Sequence, residues 1–170
     1  MGLNKTNINE TTYQPNVKIK KIYPDANIPA YNSSEAACAD LYAYIPFNEA
    51  DMVNNDGKCC KMIMPHNTVK IGTGLTMAPE TGWYVQLYAR SGLATKNGLA
   101  PANKVGVIDN DYRGEYIVPL HNHSDVPQMI VHGDRIAQMA IAPYWTANFE
   151  EVDKLDETER GEGGFGSSGK

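Results

Sequence analysis

Between residues 106 and 116 the chain reads Gly-Val-Ile-Asp-Asn-Asp-Tyr-Arg-Gly-Glu-Tyr, which sets two carboxylates, Asp109 and Asp111, a tyrosine, Tyr112, and an arginine, Arg113, on what should be a tight β-turn. Taken alone, this is a solvated turn. Other clusters give it company. In Ala37-Cys38-Ala39-Asp40-Leu41 a carboxylate falls within an apolar strand, where it must be paired or bound to something. Arg90 and Ser91 fall at a strand-to-helix junction, where free backbone N–H groups and the helix dipole favour a phosphate. The segment Gly133-Asp134-Arg135-Ile136-Ala137-Gln138 carries charge into a strand. From Arg160 the composition turns to Gly and Ser around a lone Phe165, the composition of a flexible tail and also of a segment that folds over an aromatic, anionic ligand.

The elements that must position these groups are short strands. Val17, Ile19 and Ile22 stand against Lys18, Lys20 and Lys21 as an opening strand, and 38–45 forms the next after a loop over 24–34. Asn54-Asn55-Asp56-Gly57 predicts a surface hairpin or insertion within 47–60. Strands are expected over 61–64, 68–77 and 83–89, the last alternating Trp83, Val85, Leu87 with Tyr84, Gln86, Tyr88. Residues 91–96 are the one good short helix, with Ser91 as N-cap and Asn97-Gly98 as its stop. Strands return over 104–108, 116–121, 128–132 and 135–144, with 105–107 and 117–120 read as the two arms of a hairpin around Asp109. This spacing of strands and turns predicts an all-β barrel or jelly roll with very little helix.

The 170 residues suit one domain, divided as an N-terminal arm over 1–15, a β-domain over 16–158 and a Gly/Ser-rich end over 159–170. With 15 Lys plus Arg against 20 Asp plus Glu, the net charge is −5, which argues against a duplex nucleic-acid binder and makes any phosphate ligand depend on local cations. The three cysteines, Cys38, Cys59 and Cys60, form no CxxC pattern, so neither a disulfide framework nor a zinc site is expected. No apolar run is long enough to span a bilayer, and a soluble, intracellular protein is expected. His121 and His123 share a strand face but lack a third ligand at suitable spacing, which makes a solvated loop the better reading.

In this order the clusters resemble those of the homotrimeric deoxyuridine triphosphate nucleotidohydrolases (dUTPases), over residues 17–169. The resemblance implies a distorted jelly-roll β-barrel, and hydrolysis of dUTP to dUMP and pyrophosphate with Mg²⁺ at sites shared between the subunits of a homotrimer. Such an activity limits uracil incorporation into DNA and supplies dUMP for dTMP synthesis. Asp109 matches the carboxylate that orients and deprotonates the water attacking the α-phosphorus. Tyr112 matches the ring that packs on the deoxyribose and excludes a 2′-hydroxyl. Asn103 matches the amide that reads the uracil edge, with backbone groups of Gly106, Val107 and Ile108 beside it. Arg90, Ser91, Gly92 and Gln138 match phosphate-binding positions. Asp40 matches a supporting carboxylate acting through arginines or metal-bound waters, with no direct metal ligation, since Mg²⁺ takes its oxygens mainly from phosphates and waters. Phe165 would stack on the uracil, Arg160 would meet the γ-phosphate, and Gly166, Ser167 and Ser168 would complete a lid.

Cys38 stands where the family's first motif usually has glycine, and the insertion over 47–60 and the arm lie outside the common core. The nearest alternative is a dCTP deaminase, mono- or bifunctional, on the same scaffold; such an enzyme would lack the Ile-Asp-x-x-Tyr-x-Gly pattern and use a glutamate near the base. From another class comes a regulatory protein that senses dUTP and engages a partner through the arm or insertion. Asp109-x-Asp111 as the metal motif of a glycosyltransferase is remote, because the chain is too small and has no α/β pattern.

Overall fold

A computed structural model describes residues 14–164. In chain order the strands are β1 (Val17–Lys21), β2 (Ala30–Tyr31), β3 (Ala39–Tyr42), β4 (Met52–Val53), β5 (Cys59–Ile63), β6 (Thr68–Gly72), β7 (Leu75–Pro79), β8 (Trp83–Tyr88), β9 (Leu99–Pro101), β10 (Gly106–Ile108), β11 (Ile117–Asn122), β12 (Gln128–Val131) and β13 (Arg135–Pro143). Among the described residues α1 (Ser91–Asn97) is the one α-helix, so the all-β expectation holds. The antiparallel strands form a five-stranded sheet, β10-β8-β13-β3-β2, two three-stranded sheets, β6-β11-β9 and β12-β5-β4, and the pair β1-β7. The alternating apolar positions meet in one core around Leu41, Ile71, Leu75, Val85, Leu87, Leu120 and Ile136. The sheets do not join into one closed ladder.

Several local expectations are corrected. The stretch 68–77 is two strands, because the chain breaks at Thr73-Gly74: Gly74 has φ +69°, and a Cβ there would lie 2.9 Å from the Ala26 methyl and 3.0 Å from the Tyr44 ring. Thr73 is buried at the break and donates its hydroxyl to the Tyr116 carbonyl at 2.7 Å. Ser91 is the first helical residue and not the cap; the cap position is Arg90, in extended conformation and with no side-chain capping bond. The expected stop does form, Gly98 ending α1 in the left-handed region with its N–H on the Ala94 carbonyl at 3.1 Å. Two short strands, β2 and β9, lie where no strand is expected, and both owe their pairing to longer neighbours.

The largest correction concerns 106–116, which is not a hairpin. β10 pairs with β8 and β11 pairs with β6 and β9, so the segment crosses from one sheet to another instead of folding back on itself. The β-branched flanks make good strands, but nothing in their alternation says which neighbour each will pair with. The 47–60 segment does form its hairpin, β4 against β5, with the Asn54 carboxamide oxygen accepting the N–H groups of Asp56 and Lys58 at 3.0 and 2.9 Å. After β13 the chain runs from 144 to 164 without helix or strand.

Gly74→Ala is expected to cost about 2 kcal/mol, combining a strained φ with a lack of space. Gly57→Ala, at φ +77° but with nothing within 4 Å of the added Cβ, should lose only the backbone part. Urea unfolding of the two variants checks the order.

Candidate active site

β10 leads its chain into a loop over 109–116 that is closed by local bonds. The Tyr112 N–H donates to the Asp109 carbonyl at 3.2 Å, and the Arg113 guanidinium donates to the carbonyls of Asn110 and Tyr112 at 2.6 and 2.9 Å. The Tyr112 hydroxyl donates to the Glu115 carbonyl at 3.1 Å, and its ring lies over Gly114, where a Cβ would run into the ring and hydroxyl. Glu115 reaches to the other strand break, its carboxylate accepting the Gly74 N–H at 2.7 Å. Thr76 accounts for one more carbonyl, donating its hydroxyl to that of Arg113 at 2.9 Å.

Beside this loop is a cavity of about 340 Å³ lined by Asn103, Gly106, Val107, Ile108, Asp109, Tyr112 and Glu115, with Lys70, Leu87, Ile117 and Pro119. It brings together every described residue expected on the nucleoside side. A Cβ on Gly106 would sit 2.9 Å from the Asn103 amide nitrogen and 3.0 Å from Leu87, so only glycine lets that side chain lie against the strand. Asp109 also lines a second, larger cavity of about 810 Å³ with Tyr84, Asn110, Asp111, Tyr144 and Trp145. Its carboxylate is exposed and accepts no hydrogen bond from the described residues, which leaves both oxygens free to hold a water. Tyr116 is fully buried and its phenol is pushed up to about 12 by burial, with nearby Arg113 partly opposing, so it stays neutral; its hydroxyl has no partner among the described residues.

The phosphate-side residues gather elsewhere in the same sheet. Asp40 on β3, Gln138 on β13 and Tyr88 on β8 stand in one transverse row. Asp40 is only 3 % exposed. Its carboxylate takes donors from Arg90 Nε at 2.9 Å, Arg135 Nη1 at 3.1 Å and Asn32 Nδ2 at 2.6 Å. Burial alone would raise its pKa, but the Asn32 hydrogen bond and the Arg90 and Arg135 guanidiniums more than offset this and hold the carboxyl below the usual range. Arg90 also donates to the Arg135 carbonyl at 3.1 Å, and Gln138 donates to the Ala89 carbonyl at 2.9 Å, which fixes the strand end that leads into Ser91. Ser91 and Gly92 are exposed, and a Cβ on Gly92 would meet nothing within 4 Å.

Arg135 and Asn32 are partners of Asp40 that sequence reading does not pair with it, although Arg135 falls in the charged segment 133–138. The signal for them was the buried carboxylate itself: one arginine leaves an oxygen unsatisfied, and Arg135 enters the strand that pairs with β3. Arg160 is turned into a local loop, donating to the Gly163 carbonyl at 2.8 Å, and lines none of the cavities described above. Phe165, Gly166, Ser167 and Ser168 lie outside the described residues.

No single cavity described above joins the two groups, although Arg90 and Ser91 follow β8, the strand next to β10. From Gly106 the register runs to Leu87, Met139 and Ala39, so three strand spacings, roughly 14 Å, separate β10 from the Asp40 strand. The nucleoside cavity contains none of Asp40, Arg90, Ser91 or Gln138. Among the described residues no group of three or more His, Cys, Asp or Glu converges to hold a metal ion. His121 instead lies edge-on to His123 and shares a 2.9 Å hydrogen bond with Thr68.

A family model described as dUTPase matches residues 58–169. The deoxyuridine 5'-triphosphate nucleotidohydrolase of Nautilia profundicola is 46% identical over 154 residues, covering 91% of this chain and 99% of that protein. That of Syntrophotalea carbinolica is 42% identical over 153 residues, covering 90% and 96%. Among solved structures, the dUTPase of Staphylococcus bacteriophage 80alpha with dUPNHPP aligns with a TM-score of 0.75 at 25% identity, over 91% of this chain and 98% of that one. A mutant dUTPase from phage phi11 of S. aureus, described for the coordination of a structural Mg(II) ion, aligns with a TM-score of 0.68 at 19% identity, over 84% and 99%, and bears on the fold alone. The chain belongs to the dUTPase family.

Proposed function

We propose that the protein hydrolyses dUTP to dUMP and pyrophosphate, with Asp109 orienting and deprotonating the water that attacks the α-phosphorus. The observation that carries the assignment of Asp109 is its place at the rim shared by two cavities, with an exposed carboxylate that no described residue engages. On the nucleoside side the Asn103 carboxamide has a donor and an acceptor for the uracil edge, and the backbone of Gly106, Val107 and Ile108 supports it. The Tyr112 ring, held by its bond to Glu115, walls off the sugar and leaves no room for a 2′-hydroxyl. The carboxylate is a weak base, so its contribution lies in orientation and in holding the proton as it leaves, an effect of about 10²- to 10⁴-fold.

The phosphates would lie on Arg90, Ser91, Gly92 and Gln138, with the open space over Gly92 allowing the backbone to be approached. Asp40 acts through Arg90 and Arg135, since its oxygens already carry three donors. Because Asp40 already accepts three donors, a Mg²⁺ ion arriving with the substrate would be held mainly by the phosphates and waters, with Gln138 and the arginine pair beside the phosphates. Mg²⁺ would supply neutralisation of the phosphate charge. Arg160 with Phe165, Gly166, Ser167 and Ser168 would close the site, and closure excludes bulk water.

That neither cavity of the single chain holds both groups supports a homotrimer in which each site draws on more than one subunit. Trp145, Phe149 and Leu155 are 87%, 94% and 77% exposed, side chains that one chain alone leaves in water and an assembly can cover. No helix among the described residues is long and apolar enough to cross a membrane. Cys38, Cys59 and Cys60 are free thiols, which fits a reducing, intracellular setting. The Ile108-Asp109-x-x-Tyr112-x-Gly114 loop favours the hydrolase over a dCTP deaminase.

A panel of dUTP, UTP, dCTP and dTTP should release pyrophosphate from dUTP alone; ammonia from dCTP would overturn the assignment. Asp109→Asn should lower turnover by at least about 10²-fold while dUTP binding persists. Removing the residues after Glu159 should sharply reduce turnover and leave the trimer intact by sedimentation, whereas a fully active monomer would contradict the shared site. Asp40 has a depressed folded-state pKa, so its stabilisation is present above the unfolded value near 4 and is lost as pH falls through the folded value. Asp40→Asn should therefore cost about 3 kcal/mol near neutral pH, with the gap to wild type narrowing in urea melts below about pH 4.

A further inference from the structure

The register of β10 on β8 ends at Ile108 opposite Val85, and continuing it would place Asn110 opposite Trp83. No backbone rung forms there. The Asn110 side chain replaces it: its amide nitrogen lies 2.8 Å from the Trp83 carbonyl, 2.9 Å from that of Glu80 and 3.0 Å from that of Pro79. Two N–H groups thus serve three carbonyls of the turn between β7 and β8. That turn is itself fixed, with Trp83 N–H on the Glu80 carbonyl at 3.1 Å, Tyr144 N–H on the Gly82 carbonyl at 3.0 Å and Asn16 exchanging bonds of 2.9 and 3.1 Å with Glu80.

The chain therefore leaves its strand at Asp109 and is caught again one residue later by a side chain. A carboxylate that is to hold a water must be open to solvent, yet it must not swing with a free loop. We infer that Asn110 is a positioning residue for the hydrolysis proposed above: its amide, standing in for the lost backbone rung, sets where the Asp109 carboxylate lies. The far end of the loop is held by Glu115 on Gly74, and the Tyr112 N–H on the Asp109 carbonyl and Arg113 on the Asn110 carbonyl still close the loop when the Asn110 clamp is lost, so the loss shifts the Asp109 end relative to the β7–β8 turn without opening the loop. Asn110 touches neither substrate nor the reacting atoms in this role. It acts by keeping Asp109 within reach of the attacking water, where a displacement of about 1 Å costs on the order of 10²-fold in rate.

The inference rests on the dUTPase reading, and the test separates the two. Wild type, Asn110→Ala and Asn110→Asp are compared for kcat and KM on dUTP and for affinity toward the non-hydrolysable α,β-imido analogue. Asn110→Ala should lose about 10- to 100-fold in kcat, with KM and analogue affinity within about threefold of wild type. Asn110→Asp, whose carboxylate would face three carbonyl oxygens, should fall at least as far. Should Asn110→Ala fail to fold, Asn110→Ser, which keeps one hydroxyl donor, decides by the same split of kcat from binding. An unchanged kcat in a folded variant, or a loss of kcat matched by an equal loss of analogue affinity, overturns the role of Asn110. A wild type inactive on dUTP overturns the functional reading beneath it.

Discussion

A carboxylate removed from water must be compensated, and the compensation of Asp40 organises the centre of the five-stranded sheet. Its two oxygens recruit Arg90 from the end of β8, Arg135 from the start of β13 and Asn32 from beside β2. Each donor comes from a different segment, so the bonds fix the relative placement of strands whose apolar contacts alone would tolerate some sliding. Gln138 completes the arrangement by tying β13 to the Ala89 carbonyl where the chain turns into α1. The cluster proposed to hold the phosphates is thus a by-product of satisfying one buried charge.

The nucleoside side follows the opposite rule. Asp109 is left in solvent with no described donor, while several side chains of its loop are engaged: Asn110 on the neighbouring turn, Arg113 on its own loop, Glu115 on Gly74. A free carboxylate on a pinned loop is what water activation needs, because orientation supplies most of the effect for so weak a base. The glycines serve the same end. Gly114 admits the Tyr112 ring and Gly106 admits the Asn103 side chain, close approaches that any Cβ would block.

Much of this was legible in the sequence because it depends on residue type. The alternation of β8, the stop of α1 at Gly98, the Asn54 turn and the need of Asp40 for a partner are local consequences of chemistry. What was not legible depends on which strand pairs with which. The supposed hairpin around Asp109 failed because β10 and β11 have good strand character but belong to different sheets. The 68–77 strand failed at Gly74, which takes a positive φ where a Cβ would meet Ala26 and Tyr44, residues distant in sequence. Arg135 and the clamp of Asn110 were hidden for the same reason: both reach across the chain to groups that only the folded register brings near. The closing segment at Phe165 lies outside the described residues and stands on the family likeness.

A site proposed for a triphosphate, in a chain of net charge −5, keeps a buried carboxylate against its arginines, and the reason is geometric. Deleting Asp40 would raise the local positive charge, but two long guanidinium side chains would then be free to sample many rotamers, and ordering each on binding carries an entropic cost of up to about 2 kcal/mol. With Asp40 present, Arg90 commits Nε to it and an Nη to the Arg135 carbonyl, while Arg135 commits one Nη. The remaining N–H donors are presented in fixed directions. Preorganised donors act on developing charge without reorganising at the moment of reaction, whereas bare charge in solvent is screened. Asp40 therefore trades net charge for geometry. The charge it removes must then come from outside this cluster, which is the physical case for the divalent cation and the further arginine, Arg160, of the proposed mechanism.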